Sequence, residues 1–371
     1  MQAIIVNFVP LLFIAFQNHY GLSLTQITML ATVNFVVQLL TDFSATFFVD
    51  KIGYRPCIVA AQLLGALGLV LLALLPEVMP PFGGILTAVV IYAIGGGLIE
   101  VLVSPIMESC PTDNKEKAMS LLHSFYCWGH VGVVLISTAF FAAFGVDNWK
   151  ILSIIWAAIP FVNAFIFMKT PIAPLIQNGE KGLSIGQLCK NKVFWLLVVM
   201  MLCAGASEQA VAQWASALAE KGLGVSKTVG DLTGAMTFAV MMGLSRVIYG
   251  KFGDRIAIEK FMVGSAVLCV VAYLLTALSP IPVLSLLGCA ICGFSVGIMW
   301  PGSLSKASAT LPTGGTAMFA LLALSGDIGC TVGSTSVGLV SDAVNGNIQM
   351  GILAAIVFPV VLLLCVLKRK K

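Results

Sequence analysis

Charged residues are scarce in this chain. They make up 10% of its 371 residues, whereas soluble globular domains contain about 25%. Hydrophobic residues make up 59%, which is more than a water-soluble fold of this length can hide, because folded proteins still expose much of their apolar surface. The composition excludes an ordinary soluble domain and predicts a protein that is solvated by lipid.

Motifs for nucleotide hydrolysis and metal binding are also missing from the sequence. No Gly-x-x-x-x-Gly-Lys-[Ser/Thr] loop is present. The three histidines are scattered, and the ten cysteines show no zinc-ligand spacing. The sequence therefore predicts neither an ATP-driven pump nor an enzyme, and no cofactor or metal is expected. The cysteines are interpreted as small apolar side chains of a packed bundle.

Twelve apolar runs approach the length of a membrane-spanning helix, which needs about 20 apolar residues. They cover residues 1–18, 27–48, 56–75, 82–107, 119–145, 149–168, 192–217, 229–250, 260–278, 281–304, 315–340 and 348–367. We predict an all-α membrane protein with twelve transmembrane helices in two pseudo-symmetric six-helix halves. The first run lacks the inner turn expected before a first span, so an upstream start is plausible.

Basic residues are concentrated on one side of this predicted bundle. With both termini on the inner side, the inner connections and the tail hold 16 of the 20 Lys and Arg residues. Cytoplasmic loops of membrane proteins carry an excess of Lys and Arg. We therefore expect cytoplasmic termini and a location in the cell membrane.

Internal repetition divides the chain into two halves. Ser104-Pro105 corresponds to Trp300-Pro301, with the prolines 196 residues apart, and Gly129-His130-Val131-Gly132 corresponds to Gly326-Asp327-Ile328-Gly329 at an offset of 197. The longest hydrophilic stretch lies between the two copies. These features predict an N-terminal six-helix bundle, a cytoplasmic central loop and a C-terminal six-helix bundle, at residues 1–169, 170–191 and 192–371.

A charged loop motif follows the second and the eighth apolar runs. Its residues are Asp50, Lys51, Gly53 and Arg55 in the first copy and Gly250, Asp254 and Arg255 in the second. They resemble the loop signature G-x-x-x-D-[RK]-x-G-x-[RK] of the major facilitator superfamily, with Thr46 and Ala257 in place of two glycines. The resemblance implies that superfamily's transporter fold. It also implies that the aspartate meets the positive end of a neighbouring helix and a basic loop residue, which holds the inner gate shut. The alternative is that these charges only obey membrane topology.

Glu100 is the leading candidate among ionisable residues within the apolar runs, where each charge is costly unless it faces a partner or a wet cavity. It follows Gly95-Gly96-Gly97 and precedes Ser104-Pro105. This segment resembles the fourth helix of the fucose permease branch, in which a glutamate followed by Asn-Pro is associated with proton coupling and sugar recognition. That branch also has a first-helix aspartate, where this sequence offers Asn7, Gln17, Asn18 and His19. The alternative is a structural acid paired with Arg246 or a lysine.

Further polar side chains within the runs are candidates for substrate binding or proton coupling. In the seventh run these are Glu208, Gln209, Gln213 and Trp214, and elsewhere they are Asn34, Gln38 and Trp300. Positions 209 and 213 share a helix face, as do 210 and 214, and amides beside an indole suit a polar ligand with one apolar face. Polar contacts between helices of a bundle are the alternative.

Five more ionisable residues lie within the runs. His123 and His130 are two turns apart in the fifth run and could shuttle protons near neutral pH, although hydrogen-bonded packing is favoured. Asp327 occupies the repeat position of His130, which favours a packing or gate role. For Arg246, both pairing in the gate and snorkelling to the membrane surface stay open. Asp42 is interpreted as structural.

These features favour a secondary transporter that works by alternating access. The leading hypothesis is proton-coupled symport of a small polar solute, with a sugar as the candidate. Efflux of a drug or an amphipathic metabolite by proton antiport is the alternative, and a non-transporting membrane sensor is the alternative of another class. The expected partners are a small-molecule substrate, protons and the lipid bilayer. No nucleic-acid partner is expected, and the protein is predicted to be a monomer.

Overall fold

The computed structural model describes residues 1–173, 182–223 and 227–368. Within these ranges the chain is helical and contains no β-strand. Part of the predicted central loop, residues 174–181, and the end of the basic tail, residues 369–371, lie outside the described residues.

The α-helices of the described chain are α1 (Gln2–Leu11), α2 (Phe13–Tyr20), α3 (Leu24–Ile52), α4 (Tyr54–Val78), α5 (Pro81–Ser109), α6 (Lys115–Phe144), α7 (Trp149–Lys169), α8 (Ile185–Lys190), α9 (Lys192–Ala212), α10 (Ala215–Leu223), α11 (Lys227–Gly230), α12 (Thr237–Phe252), α13 (Ile258–Leu278), α14 (Pro282–Val296), α15 (Met299–Thr310), α16 (Gly315–Ala343), α17 (Ile348–Ala354) and α18 (Val357–Lys368). A 3-10 turn at Val146–Asn148 precedes α7, and a π-helical segment at Asp231–Met236 precedes α12.

Local sequence explains where several of these helices begin and end. Ser23 accepts a hydrogen bond from the backbone N–H of Gln26, and the Gln26 side chain accepts one from the Ser23 backbone, which is a capping box at the start of α3. Gly53 separates α3 from α4 with a φ of 96°, a conformation that favours glycine. Helix α5 begins with Pro81 in its first turn, where a missing N–H costs no helical bond.

Eleven helical segments of the described chain are long and apolar enough to cross a membrane. The shorter apolar helix α1, together with α2, occupies the first predicted run and is interrupted at Leu12. Pro10 lies in the last turn of α1 and cannot donate a helical hydrogen bond, which favours an interruption there. This arrangement agrees with the twelve predicted runs.

Three spans in the second half of the chain are interrupted within their length. Helix α9 gives way to α10 at Gln213-Trp214, α14 to α15 at Gly297-Ile298, and α17 to α18 at Ala355-Ile356. The interruption before α15 has a covalent cause: the regular partner of the Gly297 carbonyl would be the N–H of residue 301, which is a proline. Discontinuous spans expose backbone groups that can bind other parts of the protein or a ligand.

Contacts group the chain into two compact units. Unit 1 comprises Met1–Cys110, Gly129–Gly182 and Gly315–Ala320, and unit 2 comprises Pro111–Trp128, Leu183–Gly314 and Leu321–Lys371. Each unit therefore includes a short segment from the other predicted half of the sequence. The division into halves at residues 169 and 192 stays a prediction.

Close backbone approach at small residues builds both units, as is usual between membrane helices. In unit 1, a Cβ at Gly68 would lie 2.6 Å from the Tyr92 side chain, so α4 and α5 pack almost backbone to backbone. In unit 2, a Cβ at Gly329 would collide with the backbone carbonyl of Leu202, which shows the same close packing between α16 and α9. These tight interfaces fix the helices that carry the polar residues described next.

Candidate functional site

Unit 1 contains a polar cluster within its spans, formed by Gln2, Gln38 and Glu100. The Nε2 group of Gln2 donates to Oε2 of Glu100 at 3.0 Å and to Oε1 of Gln38 at 2.6 Å. Gln38 is buried, whereas Glu100 and Gln2 are partly exposed. One amide thus joins helices α1, α3 and α5 at the carboxylate. We call these three residues the glutamate cluster.

The glycine run before Glu100 makes room for this cluster. A Cβ at Gly96 would lie 2.9 Å from Oε1 of Gln2 and 3.3 Å from Oε1 of Gln38. Any larger side chain at position 96 would therefore displace the amides. The absence of a side chain at Gly96 thus leaves space for the two amide side chains.

Two polar atoms beside the glutamate cluster have no hydrogen-bond partner within the described chain. They are Oε1 of Gln2 and Oδ1 of Asn34, and both are buried. Asn34 lies one turn before Gln38 on α3, and its backbone carbonyl accepts from Gln38 Nε2 at 3.4 Å. Buried acceptors without donors are costly, so a bound group that donates hydrogen bonds would be favoured here. Asp42, further along α3, is fully buried.

Unit 2 contains a second buried cluster, which is centred on Arg246 of α12. The Nη2 atom of Arg246 lies 3.5 Å from Oε2 of Glu208, and Nε donates to the carbonyl of Gly297 at 2.8 Å. The Nη1 group donates to the carbonyl of His123 at 2.9 Å and to Sγ of Cys127 at 3.3 Å. We call these residues the arginine cluster.

The arginine cluster argues against one of the two interpretations of Arg246. Arg246 is 3% exposed, so it does not snorkel to the membrane surface. It pairs with Glu208, and neither residue belongs to the glutamate cluster. Ser120 Oγ also donates to the Arg246 backbone carbonyl at 2.8 Å. Helix α6 therefore contacts both the backbone and the side chain of Arg246 on α12. Whether this pairing serves a gate stays a prediction.

The other candidates of the seventh and tenth spans lie at or near helix interruptions. Gln213 is exposed and Gln209 partly exposed. Trp214 donates from Nε1 to the carbonyl of Ser334 at 3.0 Å. The ring of Trp300 packs against Gly326 so closely that a Cβ there would collide with it. Both indoles therefore contact α16.

Several further residues have placements that leave their predicted roles open. His123 contributes its backbone carbonyl to the arginine cluster, and His130 and Asp327 are partly exposed on α6 and α16.

Gly293–Gly297 has the Gly-x-Ser-x-Gly spacing of hydrolase nucleophile motifs, but Ser295 is buried and donates to the Cys292 carbonyl at 2.7 Å. This serine lies within α14 rather than on a strand-to-helix turn, so the spacing does not indicate a nucleophile.

The first copy of the loop motif makes its contacts within unit 1. Thr316, in the first turn of α16, donates from Oγ1 to Oδ1 of Asp50 at 2.6 Å and lies 2.6 Å from the Tyr54 hydroxyl. Arg55 donates to the carbonyl of Thr170 at 3.0 Å, and Lys51 is exposed. Asp50 therefore lies at the positive end of a helix, where a carboxylate is favoured by about 0.3–1 kcal/mol.

The second copy contacts the start of a helix within unit 2, through different side chains. Asp254 forms an ion pair with Lys117, in the first turn of α6, and accepts from Asn114 Nδ2 at 3.0 Å. Hydrogen bonds from Lys117 and then from Asn114 hold the pKa of the Asp254 carboxyl below its usual range. Tyr249 donates to Glu116 at 2.9 Å beside this pair, and Arg255 is exposed.

The sequence identified most of the charged residues but not the residues that bind them. Gln2 in the glutamate cluster, Thr316 beside Asp50 and Lys117 beside Asp254 were not singled out as candidates. Gln2 carried a weak signal, since it is an amide in an apolar run. Thr316 and Lys117 carried a stronger one, because each lies near the start of the helix that follows an inner connection, at nearly equivalent repeat positions.

Comparison with known proteins agrees with this architecture. The family model of the Major Facilitator Superfamily matches residues 1–334. A variant of the E. coli fucose:proton symporter is 18% identical with a TM-score of 0.83, covering 100% of this chain and 95% of that chain. The same type of transporter in an outward conformation is 18% identical with a TM-score of 0.84, covering 100% and 96%.

A further solved structure with a similar fold is a proton:xylose symporter bound to 6-bromo-6-deoxy-D-glucose. It is 12% identical with a TM-score of 0.80, and the match covers 100% of this chain and 93% of that chain. At these identities the likeness concerns the fold. No curated protein matches the chain in sequence.

Proposed function

This chain belongs to the Major Facilitator Superfamily, and from that premise we propose that it is a proton-coupled symporter of a small polar solute. It is a multi-pass integral membrane protein, and its fold is that of transporters rather than enzymes. We further propose that it lies in the cell membrane with both termini in the cytoplasm, because the basic residues are concentrated in the connections on that side.

The observation that carries the proposal is the hydrogen bond between Glu100 and Gln2. A carboxyl group held by an amide within a membrane span can gain or lose a proton while its neighbour stays neutral. In the charged form it accepts from the Gln2 amide, and in the protonated form it can donate to a ligand. Glu100 is partly exposed, and the proposal requires that both a proton and a solute reach it.

The neighbours of Glu100 favour an uncharged, hydroxylated solute. The cluster offers amides from Gln2 and Gln38, together with buried acceptors on Gln2 and Asn34 that lack donors within the described chain. Amide groups both donate and accept, which matches the pattern of sugar hydroxyls. The two solved transporters with similar folds are described as a fucose:proton and a proton:xylose symporter, which supports the same class of solute.

We also propose that the two loop-motif aspartates hold the inner side of the transporter closed. Asp50 contacts the first turn of α16, and Asp254 contacts the first turn of α6. In each repeat, the loop after the second span of that half is thus attached to the fifth span of the other half. Movement of the halves during alternating access would have to break both contacts.

Uptake by liposomes containing the purified protein tests the symport proposal. We expect an inward proton gradient to drive accumulation of radiolabelled fucose or xylose, and we expect Glu100→Gln to abolish this accumulation, because an amide cannot release a proton. Glu77→Gln is the matched control. Glu77 is an exposed acid at the end of α4 that contacts Lys150 and Tyr20, and this variant should accumulate as the unmodified protein does.

Two outcomes would contradict the proposal. Accumulation by Glu100→Gln at the unmodified rate would show that another group couples the proton. Absence of gradient-driven fucose and xylose uptake, combined with dye extrusion from cells that express the protein, would favour the antiport alternative.

A further inference from the structure

Arg246 is bound by some groups that cannot titrate and by one that can. The carbonyls of Gly297 and His123 hold its Nε and Nη1 groups at 2.8 and 2.9 Å, and peptide carbonyls do not titrate. The carboxylate of Glu208 lies 3.5 Å from Nη2, and it can take up a proton. The guanidinium therefore combines fixed partners with a titratable one.

The fixed partners come from local sequence. Because Pro301 has no N–H, it leaves the Gly297 carbonyl without its regular helical donor, and Arg246 supplies that donor instead. Gly297 also follows the last residue of α14, where the negative end of the helix dipole favours a cation. A positive charge at residue 246 is thus compensated even without a carboxylate.

This compensation changes the consequence of neutralising Glu208. Breaking a buried ion pair is usually destabilising, because an unpaired charge is left behind. Here the remaining guanidinium keeps two backbone hydrogen bonds and a helix terminus. A proton on Glu208 would break the ion pair while Arg246 keeps its bonds to the two carbonyls, and α9 would lose its ionic contact with α12.

We propose that Glu208 is a second proton-binding site of this transporter, located in unit 2 and separate from Glu100. Protonation releases Glu208 from Arg246, while Arg246 stays bound to Gly297 and His123. The proton bonds to a Glu208 carboxylate oxygen, and no other bond is made or broken. Proton binding at Glu208 does not depend on the proposed function, whereas its consequence for transport rests on it.

Titratable or charged groups approach this part of α9 from several neighbouring helices. On α16, Sγ of Cys330 packs against Gly205, three residues before Glu208. Arg246 lies on α12, and His123 and Cys127 lie on α6. From α14, Cys292 interacts electrostatically with Glu208. From α13, the Tyr273 hydroxyl donates to the carbonyl of residue 207 at 2.8 Å. Arg246 is the cation paired with Glu208, and thiols and phenols ordinarily carry no charge near pH 7.

Proton uptake by the purified protein tests the site without any substrate. An indicator dye measures the protons bound when lightly buffered protein is acidified from about pH 8 to about pH 5. We expect Glu208→Gln to bind one proton fewer than the unmodified protein. Glu259→Gln is the matched control, because Glu259 belongs to an ion pair with Lys306 but is 57% exposed; it should bind as many protons as the unmodified protein. Equal uptake by Glu208→Gln and the unmodified protein would overturn the proposal.

Thermal unfolding distinguishes a proton site from a merely structural ion pair. Glutamine resembles protonated glutamic acid, so Glu208→Gln should fold and melt near the unmodified protein. Arg246→Met should melt at a clearly lower temperature, since it leaves the Gly297 carbonyl without a hydrogen-bond donor and the Glu208 carboxylate without a cation. Failure of Glu208→Gln to fold, or a melting temperature as low as that of Arg246→Met, would show that neutral Glu208 is not a native state and would refute the inference.

Transport then tests the consequence separately. Glu208→Gln should exchange labelled fucose for unlabelled fucose across liposomes, but proton-driven net accumulation should fall at least tenfold. Lowered exchange and accumulation together would assign Glu208 a structural role. If the unmodified protein transports neither fucose nor xylose, the proposed function fails, and the proton count at Glu208 still decides this inference.

Discussion

At the scale of single residues, Asp254 allows a prediction about pH. Its carboxylate is exposed but hydrogen-bonded by Lys117 and Asn114, which lowers its pKa. A lowered pKa means that the contact contributes fully above the usual value of about 3.9 and is lost only as the pH falls through the lower folded value. The Lys117–Asp254 contact therefore stays unchanged between about pH 5 and about pH 8.

We accordingly expect Asp254→Asn to slow transport by the same factor at every pH in this window. The measurement is the initial uptake rate of the proposed substrate as a function of pH, compared with the unmodified protein. Asp113→Asn, an exposed acid in the loop before α6, is the control and should change neither rate nor profile. A profile that shifts along the pH axis in Asp254→Asn would mean that this carboxylate titrates during transport.

The candidate residues differ in how well sequence could predict their surroundings. Glu100 and Glu208 were identifiable because a charge in an apolar run is itself informative. The hydrogen bond to Gln2 was not, since it depends on how α1 lies against α5. Arg246 was left with two interpretations, and its burial argues against snorkelling. Pro301 predicts a Gly297 carbonyl without its helical donor, but the hydrogen bond from Arg246 depends on the contact between the two spans.

At the scale of helices, the interface between α9 and α16 makes a prediction about stability. A Cβ at Gly329 would collide with the carbonyl of Leu202, which is backbone and cannot move aside. We expect Gly329→Ala to lower the free energy of unfolding by about 1–3 kcal/mol, the usual cost of overpacking. The midpoint of thermal unfolding in detergent measures the change.

Gly264→Ala is the matched control for this prediction. Gly264 lies in α13, is exposed, and a Cβ there would meet nothing within 4 Å. Alanine is a better helix former than glycine by about 1 kcal/mol, so this variant should melt at the same or a slightly higher temperature. Equal midpoints for Gly329→Ala and Gly264→Ala would contradict the close approach of α9 and α16.

The helices themselves were largely predictable, whereas their interruptions were only partly so. Apolar runs of about 20 residues report the spans directly. The interruption before α15 has a sequence cause in Pro301, but Gln213-Trp214 contains neither glycine nor proline. There the Trp214 indole donates to the Ser334 carbonyl on α16, so a tertiary contact accompanies the interruption. Such contacts are invisible to local patterns.

At the scale of the whole molecule, the repeat is expressed in contacts as well as in sequence. The loop motif of the first half contacts α16 through Thr316, and the loop motif of the second half contacts α6 through Lys117 and Asn114. The sequence identified the two acids, and the resemblance to the superfamily implied that such an aspartate meets the positive end of a helix. The hydroxyl that contacts Asp50 and the amine that contacts Asp254 are different chemistries, so the two contacts are not equivalent in strength or in response to salt.

This difference leads to a prediction about the gate. Asp50→Ala and Thr316→Val should each slow transport of the proposed substrate by a similar factor, because each removes the same hydrogen bond, and combining them should cost little more. Exchanging the charges in Lys117→Asp with Asp254→Lys should restore part of the activity that either single change removes, since that contact is ionic. Membrane insertion, measured as the amount of folded protein in detergent extracts, should be normal throughout. Additive losses in the Asp50 and Thr316 pair would show that the two residues act independently, and the motif would then reflect topology alone.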